Sequence, residues 1–220
     1  MTTKATAKAT KANAKAKATT TTETTSHGEA IAKIFVQSAA IRTADAEKCK
    51  TIIADSSAFA DASFARQIDA VISRGFMTAE ALQALASDLA VTEKTDNRFI
   101  GLKVITKVRQ AINALANDRK SFFDGYTNSI LANLTRLQEL SNKSALVSLS
   151  RSVEYLETEQ VADIRKLIDC SPSTASTQAS SSRMMLRAIG AANVQKRKNG
   201  DTITLQDNDT ARAIVAMYQV

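Results

Sequence analysis

From Glu29 onwards the apolar residues recur at three- and four-residue spacing, the signature of helices that bury one face. Ile31, Ile34, Phe35 and Ile41 form the first stripe, and Thr43 and Asp45 are placed to cap a following helix that would carry Ile52, Ile53 and Phe59. Phe64, Ile68, Val71 and Ile72 predict a further helix ending at Arg74-Gly75, and Thr78 caps a short one with Leu82, Leu85 and Leu89. The longest pattern opens at Asp96 or Asn97 and runs to about Asn117 through Ile100, Val104, Ile105, Val108, Ile112 and Leu115. Ser121–Gly125 interrupts it. A Leu-rich stripe follows (Ile130, Leu131, Leu134, Leu137, Leu140), of the kind that forms a bundle core or meets a partner helix. Ser144 then opens a helix with Leu146, Val147, Leu149 and Val153, and Thr158 leads into one with Val161, Ile164, Leu167 and Ile168.

The last fifty residues change character. Ser171-Pro172 is a helix start, with serine at the cap and proline at the first helical position, and Gly190 is its stop. Ser180-Ser181-Ser182 is a weak helix former, which leaves open a start near Thr177. Beyond it, Asn199-Gly200 suits a two-residue turn, with Val194 before it and Ile203 and Leu205 after it supplying strand alternation. The pattern as a whole predicts a mainly α protein: a multi-helix body, then a C-terminal helix and β-hairpin.

Residues 1–28 stand apart. They are built almost entirely from Ala, Thr and Lys, with no Leu, Val or aromatic residue to bury, and read as a disordered basic tail. In composition the tail looks like the lysine-alanine tails of linker-histone-like proteins. A mitochondrial transit peptide is the alternative, although such peptides are Arg-rich and this tail has no arginine.

The net charge of +7 is unevenly placed. Residues 1–26 hold five lysines (Lys4, Lys8, Lys11, Lys15, Lys17) against Glu23, a net of +4. Residues 183–220 hold six cations, among them Arg183, Arg187, Lys196, Arg197 and Lys198, against three aspartates, a net of +3. The stretch between is neutral, with 18 basic and 18 acidic residues. A polyanion touched by both ends would account for this division, as would a solubility tail plus a solvated hairpin. Arg98, Lys103, Lys107, Arg109, Arg119 and Lys120 also make the long helix basic, read first as a solvated face pairing with acids elsewhere and second as a phosphate track.

The run from Thr158 through Cys170 into Ser171-Pro172-Ser173-Thr174-Ala175-Ser176 resembles the helix-turn-helix of bacterial winged-helix regulators. The resemblance covers about sixty residues. It implies a recognition helix that enters the major groove by its N-terminal end, with a wing along the backbone. On this chain that implies Ser173, Thr174, Ser176, Thr177 and Gln178 near bases or phosphates, Arg183 and Arg187 further along, and Lys196, Arg197 and Lys198 in the wing. The organisation expected is a tail over 1–28, a helical body over 29–142 and a winged-helix-like region over 143–220.

Catalytic chemistry is thinly represented. The single histidine, His27, sits where the tail meets the body, and the six glycines never cluster into a phosphate loop. Cys49 and Cys170 are far apart, so neither a disulfide framework nor a zinc site is expected, and a reducing compartment fits. Cys49, between Lys48 and Lys50, is a reactive thiol or, more commonly, a structural one. Glu154, Glu157 and Glu159 read as first-turn residues rather than a metal site. No run of 18 apolar residues predicts a membrane span. The sequence therefore points to a cytoplasmic, non-enzymatic DNA-binding protein without cofactor, possessing a transcriptional or nucleoid-type role and an open oligomeric state. The competing reading is a structural or adaptor protein, for instance a virion or assembly component, oligomerising through the Leu131/Leu134 stripe.

Overall fold

The computed structural model describes residues 26–48, 59–90, 98–150, 164–195 and 201–219. Among them are eight α-helices and one three-stranded antiparallel sheet near the C-terminus, the mainly α architecture that the periodicity predicts.

The first four helices pack on one another. They are α1 (His27–Lys48), α2 (Ala62–Ser73), α3 (Ala79–Asp88) and α4 (Arg98–Asn117). Thr78 caps α3, as its sequence predicts, by accepting from the amide of Ala81. Asp61 caps α2 in the same way, through Ser63. Phe35, Phe59 and Phe64 meet at centroid separations of 5.4–6.1 Å, and the Arg109 guanidinium lies 5.8 and 5.9 Å from the rings of Phe59 and Phe64. Gly28 allows the closest crossing: a Cβ there would lie 2.1 Å from the carbonyl oxygen of Ala65, while its amide donates to Asp69 at 2.7 Å. Helix α1 runs unbroken through Thr43 and Asp45, so these residues do not cap a new helix. Tertiary contacts override the local cap signal: Ser38 Oγ and Arg42 Nε donate at 2.6 Å to the carbonyls of Ala86 and Leu89, tying α1 to the end of α3.

Helix α4 also supports the second half of the fold. Lys107 is not on a solvated face; its side chain is only 3% exposed. Its ammonium donates to Asp124 at 2.5 Å and to Thr127 Oγ1 at 2.7 Å. Asp124 is the N-cap of α5 (Gly125–Leu137), and the Thr127 hydroxyl lies 3.0 Å from that of Ser182 on α7 (Pro172–Ala188). Burial pushes the Lys107 pKa down, and Asp124 opposes the shift.

Strand β1 (Glu139–Ser141) follows α5 and leads into the short helix α6 (Asn142–Val147), capped by Ser141 rather than Ser144. β1 pairs with β3 (Thr202–Leu205), which pairs with β2 (Ala192–Gln195), giving the order β1-β3-β2. The sheet therefore crosses the boundary expected at 142/143. Ile130, Leu131, Leu134 and Leu140 are at most 1% exposed, so these residues of the Leu-rich stripe pack inside this chain.

Residues 164–171 form no helix. Asn133 explains this: fully buried on α5, it accepts from the amide of Arg165 at 2.8 Å and donates to its carbonyl at 2.7 Å. Ser129 Oγ takes the amide of Leu167 at 3.2 Å, and the Leu149 carbonyl takes that of Cys170 at 2.8 Å. These bonds replace the helical ladder that Ile164, Leu167 and Ile168 suggest. Helix α8 (Asp209–Tyr218), which the sequence reading did not assign, is capped by Asn208 and anchored by Thr210 Oγ1 on the carbonyl of Phe76 at 2.5 Å. The expected helices around Ile52, Ile53 and Val161, together with Cys49 and Glu154–Glu159, lie outside the described residues.

Two expectations follow. Asp124→Asn keeps a capping oxygen but leaves Lys107 without a counter-charge, and should cost about 3 kcal/mol at neutral pH. Because the folded variant holds the lysine proton less tightly than the unfolded chain, the deficit should shrink as pH rises from 7 towards the ordinary lysine value of about 10.4; a pH-independent deficit in urea unfolding would contradict the buried-ion account. Asn133→Ala strands the backbone of Arg165 and should cost about 2–3 kcal/mol, with protease cleavage appearing at residues 164–170.

Candidate nucleic-acid interface

Helix α7 starts where the serine-proline signal puts it. The Ser171 hydroxyl accepts from the amide of Thr174 at 3.4 Å, and Pro172 occupies the first turn without a missing donor. The helix is continuous through Ser180-Ser181-Ser182, so the alternative start near Thr177 does not apply. Those serines are stabilised by context: Ser181 bonds back to the carbonyl of Gln178 at 3.1 Å, and Ser182 meets Thr127. Gly190, with φ of +70°, ends the helix as expected.

At about 100° per residue the helix divides into two sides. Ala175, Gln178, Ala179, Ser182, Met185 and Leu186 are buried against the core. Ser173, Ser176, Thr177, Ser180, Met184 and Arg187 form the side that is exposed or half-exposed. Of the residues that sequence places at a nucleic acid, Ser173, Ser176, Thr177 and Arg187 share this side, with Thr174 half-buried at its margin. Gln178 does not: it is 8% exposed and faces inward, because the one-sided stripe of alanines fixes the helix's rotation. Ser180 joins the outer side. Its position seven residues after Ser173, two turns along, is the signal that would have found it.

Arg183 is half-buried and engaged. Its guanidinium is 3.0 Å from Asp201 and donates to Asn142 Oδ1 at 3.3 Å, while the Asn142 amide donates to the carbonyl of Asp201 at 2.8 Å. Arg183 therefore locks α7 to the start of β3 and to α6. Lys143, beside Asn142, is exposed near the same junction, and no motif marked it in the sequence.

In the hairpin, Gln195 pairs with Thr202 and Val194 with Ile203. A two-residue turn at Asn199-Gly200 would set Gln195 opposite Thr204, so the register is offset by two from that expectation. An offset of two keeps every side chain on its own face of the sheet, and Ile203 is buried as the alternation predicts. Lys196, Arg197 and Lys198, and the tail residues Lys4, Lys8, Lys11, Lys15 and Lys17, lie outside the described residues.

Toward its C-terminal end the outer side of α7 is bounded by a cavity of about 610 Å³, where Met184 and Ala188 face Leu85 and Leu89. Cys170 donates to the Leu149 carbonyl at 3.1 Å, and burial raises its pKa, the opposite of an activated thiol. Among the described residues no helix is long and apolar enough to cross a membrane, and no group of three His, Cys, Asp or Glu side chains could hold a metal. Comparison with protein-family models, with curated proteins and with solved structures finds no match for this chain.

Proposed function

We propose that the chain is a DNA-binding protein whose second half is a winged-helix module, with α7 as the helix presented to the major groove. The observation that carries this reading is connectivity. The order α5–β1–α6–α7–β2–β3, with sheet order β1-β3-β2, runs a third helix directly into a hairpin that is closed by a strand from between the first two helices. This order supports the winged-helix reading. In this reading α6 takes the second-helix position, in place of the run after Thr158. The connection from α6 to α7 spans residues 148–171, much longer than the turn of about three or four residues in a simple helix-turn-helix.

Chemistry supports the assignment. The outer side of α7 offers four hydroxyls and Arg187 and carries no carboxylate. Hydroxyls serve phosphates or bases, and arginine suits guanine or phosphate. Lys196, Arg197 and Lys198, which follow β2 directly in sequence, supply the basic charge this reading assigns to a wing, and the five tail lysines add affinity without sequence preference. Arg183 holds the wing's exit against α7 and acts as a positioning residue.

Fluorescence anisotropy with a labelled duplex of mixed sequence tests this. Charge reversal of Lys196, Arg197 and Lys198 should abolish binding at about 0.15 M salt, and Arg187→Ala should weaken it about tenfold, the size of one lost charge-assisted contact. Gln178→Ala should leave affinity unchanged apart from stability. Deleting residues 1–26 should flatten the salt dependence by up to about 0.9 per phosphate released. Tight binding that survives the wing reversal would refute the assignment.

A further inference from the structure

The largest cavity described, about 1000 Å³, lies along α5 on the side away from α7. Its floor is low because α5 presents Gly125, Asn128, Ala132 and Thr135 there, and two of these four carry little or no side chain. One wall is the end of α8 with Tyr218, and the other is the strap with Arg165, Leu167 and Ile168. From Gly125 to Gln138 the groove follows the helix for about 20 Å at 1.5 Å per residue. Two rigid features hold it open. Tyr218 donates its hydroxyl to Asn128 Oδ1, and Asn133 pins the backbone of Arg165 on both sides.

The lining is one-sided in charge. Lys120, Arg136 and Arg165 contribute three cations, and no carboxylate lines the groove among the described residues. Asp124 is near enough to Tyr218 to help raise its pKa, but that carboxylate is engaged by Lys107. Lys120 lies 5.5 Å from the Tyr218 ring, which keeps its ammonium over the groove. At the lip, Leu167 is 63% exposed, the most exposed large apolar side chain among the described residues.

We propose that this groove binds an acidic segment of a partner protein, three to four helical turns long and carrying at least one large apolar residue to cover Leu167. Charge complementarity supplies the acids, the length sets the turns, and the exposed leucine calls for the apolar anchor. A duplex fits less well, since phosphates do not cover leucine.

The test uses the full chain and a fluorescein-labelled 14-residue peptide with Glu and Leu at helical spacing, alongside a Gln-for-Glu version. The expected result is micromolar binding of the acidic peptide, no binding of the Gln version, and at least tenfold loss in the double variant Lys120→Glu/Arg165→Glu. Leu167→Asp, which leaves the cations in place, should weaken binding by a similar factor and guards against misfolding of the double variant. Equal affinity for wild type and variants would mean that the peptide is held elsewhere, as by the lysine tail, and overturns the proposal. So does failure of the acidic peptide to bind. A 20-bp duplex that displaces the peptide and loses affinity in the double variant would assign the groove to nucleic acid instead, also overturning it. The outcome is independent of the α7 reading, because none of the substituted residues lies on α7 or the wing.

Discussion

The fold depends on a buried cation. Lys107 reaches from the middle of α4 to the N-cap of α5, and the hydroxyl that it also engages continues to Ser182 on α7. An ammonium this deeply buried is costly unless paired and fully hydrogen-bonded. Asp124 meets both needs at once, because its other oxygen accepts from the amide of Thr127 and so begins α5. Three helices thus meet in one hydrogen-bonded chain that starts at this charge, and none of the three can slide without breaking a link of it. Such a link contributes little net stability compared with an apolar replacement. What it does supply is register: it fixes the height of α7 against α4 and α5, and therefore which residues of α7 face outward.

The same link explains how a helix with a serine-rich middle persists. Ser181 and Ser182 are poor helix formers in water, where their hydroxyls compete for the backbone. Here both are fully buried, and each hydroxyl has a partner. Their small size also lets α7 approach its neighbours closely. Position-by-position propensity argued for a later start at Thr177, but the cap at Ser171 and the packing decided otherwise.

What was legible in the sequence follows a physical division. Helices whose apolar stripes faced one core, such as α2, α3 and α4, could be read from spacing, and so could the starts at Thr78 and Ser171, where a side chain caps its own helix. Elements fixed by remote partners could not. The strap over 164–171 has the apolar spacing of a helix, yet Asn133, more than thirty residues earlier, takes its backbone bonds. Lys107 looked like one of a row of surface cations, because nothing local announces that Asp124 will cap a helix beside it. The offset in the hairpin register has the same origin: β3 is paired on both sides, so β1 helps set the alignment that the turn residues alone would have set differently.

The candidate interface divides along these lines too. Ser173, Thr177 and Arg187 fall on the outer side of α7, while Gln178, chemically the best base reader of the group, faces inward. One residue of rotation separates these fates, since Thr177 and Gln178 differ by about 100° around the helix. That rotation is set by Ala175, Ala179 and Ser182, whose small side chains pack inward, and the last of these reaches Lys107 through Thr127. Arg183 then transmits the same constraint to the sheet by clasping Asp201, which directly precedes β3. Charged groups turned inward thus hold α7 against its neighbours and the start of β3, and Arg187 is left on the outer side.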